Sequence, residues 1–143
     1  LLHLLELLEL LASAKRGQPI ASGGYVCAAD LTDANNVSKA LSFMHAHLSE
    51  PITLDEVSEV LGVSPATSNR LFRRSLGKSF KEFLVYLRIA HACRLLAETE
   101  DSIIHVAQAS GFGNLANFNR LFKSRKRKTP RDFRSGVQAE GTT

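Results

Sequence analysis

An all-α fold is predicted: two helix-turn-helix subdomains joined by a long central helix, about seven helices in all, preceded by a Leu-rich helix and a linker. Three observations predict it. Apolar residues recur every three or four positions in short runs bounded by helix caps. No stretch alternates apolar and polar residues as a half-buried strand would. One pattern of caps, glycine and aromatic residues also occurs twice, at a separation of 49 to 50 residues, which marks a duplicated unit.

The opening run, Leu1 to Leu11, reads as the interior of a Leu-rich helix ending near Ala14. Because it begins on Leu1 rather than Met, the chain is expected to start inside a longer polypeptide. The run is too short for a membrane-spanning helix, which needs about 20 apolar residues, and His3, Glu6 and Glu9 interrupt it. It lacks a basic leader, so no signal peptide is read. Residues 15–33 then collect Gly17, Pro19, Gly23 and Gly24 and are expected to form a linker.

From Ala34 the caps can be read in order. A first helix is expected to about Leu48 on Val37, Leu41, Met44 and Leu48, with Pro51 preventing its continuation. Thr53 and Glu56 have capping-box spacing, and Leu54, Val57 and Leu61 face inward. Gly62 can take the positive φ needed after a helix, and Ser64 with Pro65 then supplies an N-cap and a first-turn proline. That next helix runs to Leu76 with Leu71 and Phe72 inward, and Gly77 ends it. Ser79 and Glu82 form a second capping box, opening the longest helix, which reaches about Glu98. Its apolar residues form two stripes, Leu84, Leu87, His91 and Leu95, and Val85, Ile89, Ala92 and Leu96, as expected of a helix packed on two sides.

The pattern returns at Ser102. Ile103, Val106 and Gly111 repeat Leu54, Val57 and Gly62 at a separation of 49, and Leu121, Phe122, Thr129, Asp132 and Phe133 repeat Leu71, Phe72, Ser79, Glu82 and Phe83 at 50. The domain so defined spans 34–136: helix-turn-helix units over 53–76 and 102–126, the joining helix over 79–98, and a final helix over 129–136. Residues 137–143 are expected to be a disordered tail.

The chain has 143 residues, 44% of them hydrophobic and 22% charged. Those values describe a folded chain with one or two small cores and argue against a large multidomain enzyme. Cys27 and Cys93 form no metal-ligand or disulfide spacing, which suits a reducing cytoplasm. His45 and His47, two apart on a helix, point to different sides, and with His3, His91 and His105 they build no catalytic or metal arrangement. No cofactor is expected.

Charge is uneven. Residues 1–50 hold three Lys/Arg against five Asp/Glu, residues 51–101 seven of each, and residues 102–136 eight against one. A net +7 in that last segment attracts a polyanion, and nucleic acid is the leading partner. Helix, Gly-centred turn, helix is also the arrangement that holds its second helix proud of the body, able to enter a major groove.

In the first unit this places Ala66, Thr67, Asn69, Arg70 and Arg73 on the outer arc. The Arg70 fork suits a guanine edge, Asn69 an adenine, and Ala66 a thymine methyl. In the second, Asn114, Ala116, Asn117, Arg120 and Lys123 face out, with Asn117 and Arg120 the expected base readers. Phosphate contacts, which position without reading sequence, are expected from Ser64, Arg73, Arg74, Ser79, Lys123, Arg125, Lys126, Lys128 and Thr129. The alternative for the basic run Arg125 to Lys128 is a solvated helix end, and phosphate contact is the preferred reading.

Ile103, Val106, Ala107, Gly111 and Phe112, then Asn117, Phe118, Arg120, Phe122 and Lys123, then Thr129, Pro130, Phe133 and Arg134 resemble the signature of the AraC/XylS family over about 36–136. Two positions depart from it: Arg127 stands where that family has glycine, and Phe80 where its first copy has proline. The resemblance implies a bacterial, cytoplasmic, sequence-specific regulator of transcription, often an activator, with Asn69, Arg70, Asn117 and Arg120 in the recognition helices. It implies RNA polymerase as a partner and a separate N-terminal domain that binds an effector or dimerises. Leu1 to Leu11 is then either the closing helix of that domain packed on its twin in a homodimer, or a helix buried within its own domain. Two recognition helices in successive major grooves lie about 34 Å apart on the duplex.

Overall fold

A computed structural model describes residues 28–140. Among these residues the fold is all-α: α1 (Ala28–Ala46), α2 (Leu54–Leu61), α3 (Pro65–Leu76), α4 (Phe80–Glu98), α5 (Ile103–Ala109), α6 (Leu115–Lys126) and α7 (Pro130–Glu140). The Leu-rich opening helix and most of the expected linker lie outside the described residues.

Three helix ends differ from expectation. The α1 helix begins at Ala28, six residues before the expected Ala34, because residues 28–33 contain neither Gly nor Pro and the linker's breakers end at Gly24. It stops at Ala46, and a turn closed by Glu50 N–H donating to the His47 carbonyl at 2.9 Å carries the chain to Pro51. At the other end, α7 continues through Gly136 to Glu140, so residues 137–140 are helix rather than tail. A helical glycine costs about 1 kcal/mol but does not by itself end a helix, and Gln138 Nε2 donates to Glu100 Oε1 at 2.7 Å.

The chain divides into two compact units, the first holding residues 28–43 and Thr53–Phe83, the second Met44–Ile52 and residues 84–140. In the first, Ala40, Val57, Leu61, Leu71, Phe72, Phe80 and Phe83 are buried. Phe72 is its centre, with ring centroids 5.7 Å from Phe80 and 5.9 Å from Phe83. In the second, Ile89, Ala92, Cys93 and Leu96 of α4 pack with Val106, Ala107, Phe112, Phe118 and Phe122. Phe122 lies 5.5 Å from Phe118 and 5.6 Å from Phe133. Phe72 and Phe122 hold equivalent places in the repeat, and truncating either to Ala costs about 3–5 kcal/mol.

The α4 helix gives Phe80 and Phe83 to the first unit and its residues from Leu84 onward to the second, so its apolar residues cover more than one face. Of the two expected stripes, Leu84, Leu87, Ile89, Ala92 and Leu96 are buried, whereas Val85, His91 and Leu95 are half-buried.

The copies differ inside. In the first, Ser58 Oγ donates to the Leu54 carbonyl at 2.6 Å and is hydrogen-bonded to Ser68 Oγ at 2.8 Å, both serines being buried. The second copy has Ala107 and Phe118 at those two places, also buried. Phe80, where the second copy has Pro130, meets Phe72 edge-on, supplying the first core with a ring that Phe118 supplies to the second.

Candidate nucleic-acid interface

Each candidate recognition helix begins on a polar cap. Ser64 Oγ accepts from Thr67 N–H at 3.2 Å, and Pro65 fills the first helical position, where its missing N–H costs nothing. Ser68, Leu71 and Phe72 turn α3 inward, leaving Ala66, Thr67, Arg70, Arg73 and Arg74 exposed. Asn69 departs from expectation. It is half-buried, because at 100° per residue it lies about 60° beyond the inward direction of Phe72, on the flank of the outer arc.

A line of polar contacts runs along that arc, with Ser64 Oγ and Thr67 Oγ1 2.9 Å apart and Arg70 Nη2 donating to Thr67 Oγ1 at 3.4 Å. The second copy repeats the line in amides. Asn114 Oδ1 accepts from Asn117 N–H at 3.0 Å, and Arg120 Nη2 donates to Asn117 Oδ1 at 2.8 Å. Phe118 and Phe122 are buried, while Asn114, Ala116, Asn117, Arg120 and Lys123 are exposed. The three positions in each line are equivalent, 64 with 114, 67 with 117 and 70 with 120. Asn114, expected at a base edge, is thus also the cap that fixes the start of α6.

Of the expected phosphate contacts, Ser64 is exposed and caps α3, and the rest divide into three groups. Arg73, Lys123, Arg125 and Lys128 are exposed cations, and Lys126 is half-buried. Lys123, Arg125 and Lys126 lie in the last turn of α6, where positive charge also favours the helix dipole. Arg127 follows as the C-cap in the left-handed conformation, φ 60°.

Ser79 and Thr129 are already engaged. Ser79 N–H and Oγ donate to Glu82 Oε2 at 2.8 and 2.7 Å, and Thr129 Oγ1 donates to Asp132 Oδ2 at 2.6 Å. These carboxylates take up the donors that Ser79 and Thr129 would offer a phosphate. The hydrogen bonds from the Thr129 side chain and backbone hold the Asp132 carboxyl below its ordinary value of 3.8, and Arg131 and Lys123 add to the effect. Arg74 forms an ion pair with Asp33 of α1.

The sequence reading passed over two residues. Leu115, on the first turn of α6, is exposed, and its signal was a large apolar side chain at an outward helical position. Asp33 falls in the segment that reads as linker, so the sequence gives no sign of its pairing with Arg74.

The second unit is tied down behind its helices. Arg88 Nε donates to the Leu48 carbonyl at 3.3 Å and Nη2 to the Glu50 carbonyl at 2.8 Å, closing the turn after α1. Burial of this guanidinium lowers its pKa. Gly111, φ 81°, approaches the same place so closely that a Cβ would lie 2.3 Å from the Leu48 oxygen. Among the described residues no three His, Cys, Asp or Glu could hold a metal ion, and no helix is long and apolar enough to cross a membrane.

Comparison with known proteins agrees with this architecture. The family model for a helix-turn-helix domain matches residues 57–136, more than half of the chain. An HTH-type transcriptional regulator of Staphylococcus aureus is 34% identical over 100 residues, covering 70% of this chain and 13% of its own length. The HTH-type transcriptional regulator YobQ of Bacillus subtilis is 30% identical over 101 residues, 71% of this chain and 42% of its own length. The chain therefore spans less than half of either relative. Among solved structures, a transcriptional regulator from Chromobacterium violaceum, described as an AraC-type DNA-binding domain-containing protein, matches with a TM-score of 0.71 at 29% identity. That match covers 75% of this chain and 96% of the other. With both copies of the duplicated unit in place and the matches spanning them, the chain belongs to the AraC-type helix-turn-helix family of transcriptional regulators.

Proposed function

We propose that this chain binds double-stranded DNA sequence-specifically, inserting α3 and α6 into successive major grooves of one duplex, and so regulates transcription. The observation that carries the reading is the equivalence of two outward arginines, Arg70 and Arg120, each with a guanidinium N–H donated to the polar side chain one turn earlier. An arginine so oriented presents the rest of its planar fork to a guanine edge. Thr67, Asn69, Ala66, Ala116 and Asn117 complete the reading surfaces, and Arg73, Lys123, Arg125, Lys126 and Lys128 hold the backbone. The segment net of +7 supplies sequence-independent attraction.

In the longer protein this domain acts in the bacterial cytoplasm, contacts RNA polymerase and answers to an N-terminal domain that senses an effector. Leu1 to Leu11, outside the described residues, is either the helix through which that domain dimerises or a helix buried within it. Selection from random DNA with the 143-residue chain, followed by footprinting, tests the central reading. The expected result is an asymmetric site of about two helical turns, roughly 20 base pairs. Absence of any mobility shift at low salt would overturn it in favour of a module that binds protein only.

A further inference from the structure

Arg74 is the last outward arginine of α3, and on the proposed DNA-binding reading it would meet a phosphate. Instead its Nη2 is paired with Asp33 Oδ2. Asp33 lies on the first turns of α1, just beyond the segment leading from the N-terminal region, and both residues belong to the same compact unit. The Asp33 side chain is only 22% exposed while that of Arg74 is 69% exposed, so the carboxylate is the fixed partner and the guanidinium the one reached from solvent. The second copy has no counterpart, because Ser124 occupies the place of Arg74.

We infer that Asp33 is a positioning residue for DNA binding: its carboxylate stands in for a backbone phosphate, holds Arg74 in the free protein, and gives it up when DNA arrives. This inference rests on the proposed function and adds a control point to it. A carboxylate and a phosphate oxygen offer the same acceptor geometry to a guanidinium, so they compete for it. Separation of Asp33 from Arg74 releases a cation for DNA; their pairing withdraws one. A pair whose guanidinium lies open to solvent is weak, which suits a device that must open on binding. The expected effect is accordingly small, and its sequence-independence is what distinguishes it.

The test is a double-mutant cycle with the 143-residue chain, measuring affinity for a selected site and for unrelated DNA. Asp33→Asn should tighten both by about two- to fivefold, the range set by an exposed ion pair. Arg74→Ala should weaken both, and Asp33→Asn added to it should change nothing further. A gain from Asp33→Asn that persists in the Arg74→Ala background would overturn the inference, because it would then reflect only the loss of a negative charge. So would weaker binding by Asp33→Asn alone, which would mean that the pair aims Arg74 at DNA. Circular dichroism of each variant checks that α1 remains helical. If the unaltered chain shifts no DNA, it is the underlying DNA-binding reading that fails.

Discussion

Arg120 Nη2 donates to the side-chain oxygen of Asn117 at 2.8 Å, so the two expected base readers of the second unit form one hydrogen-bonded pair. An asparagine whose oxygen is held by its neighbour presents its amide N–H₂ outward, while the arginine loses rotamer freedom before DNA arrives. Arg120→Ala is expected to cost roughly 1–3 kcal/mol in binding to a selected site and to relax preference at one base pair. Asn117→Ala should weaken the same position, and the double variant should lose less than the two single losses added together. Affinity measured across single-base variants of the site checks this, and strict additivity would refute the coupling.

Arg127 occupies the left-handed C-cap of α6 that Gly77 occupies after α3, with φ of 60° and 66° respectively. Only glycine adopts that conformation without steric cost. Arg127→Gly should therefore stabilise the fold by about 1 kcal/mol in a denaturant titration. The same change removes a cation, so affinity for all DNA sequences should fall together. A variant that proved no more stable would show the left-handed strain to be relieved elsewhere.

Gly62 and Gly111 hold equivalent turns, yet their surroundings differ. A Cβ on Gly62 would meet nothing within 4 Å, whereas one on Gly111 would lie 2.3 Å from the Leu48 carbonyl and 2.6 Å from Arg88 Nε. Gly62→Ala should cost about 1 kcal/mol, the backbone term alone. Gly111→Ala should cost at least twice as much, since it also displaces the Leu48 carbonyl and the half-buried Arg88 guanidinium hydrogen-bonded to it. Amide exchange in the turn after α1 should rise in the second variant only.

Asp132 titrates below its ordinary value because Thr129 donates to its charged form. A depressed carboxyl contributes stability that is fully present above the unfolded-state value, near 3.8, and is lost as pH falls through the folded-state value. Acidification below that range should fray the start of α7 first. Asp132→Asn should make the α7 amides insensitive to pH there, which an NMR titration would read; a carboxyl titrating at its ordinary value would refute the assignment.

Much of this architecture is legible in the residues because helix starts are written locally. Thr53 with Glu56, Ser64 with Pro65, and Ser79 with Glu82 each declare a cap within four positions, and α2, α3 and α4 begin at or beside them. The ends of the domain were less legible. Residues 28–33 carry no cap signal strong enough to separate helix from linker, and Gly136 looks like a stop until Gln138 finds Glu100 across the fold. The Asp33 and Arg74 pair joins residues 41 positions apart in sequence, and no periodicity reports such a meeting. Asn69 shows the limit of a helical wheel, since its direction was assigned correctly only to within the flank of the arc.

Two near-copies in one polypeptide run a hazard during folding: the later helix of one can settle into the seat of the other. The Ser58 and Ser68 pair opposes that error. Were α6 to dock on α2, Phe118 would replace Ser68, costing the Ser58 hydroxyl one of its two partners while forcing a benzyl ring into a serine-sized space. Were α3 to dock on α5, Ser68 would leave an unfilled hollow beside Ala107. Either mistake should carry a penalty of a few kcal/mol, so the difference in buried contents between the two halves disfavours exchange of their helices.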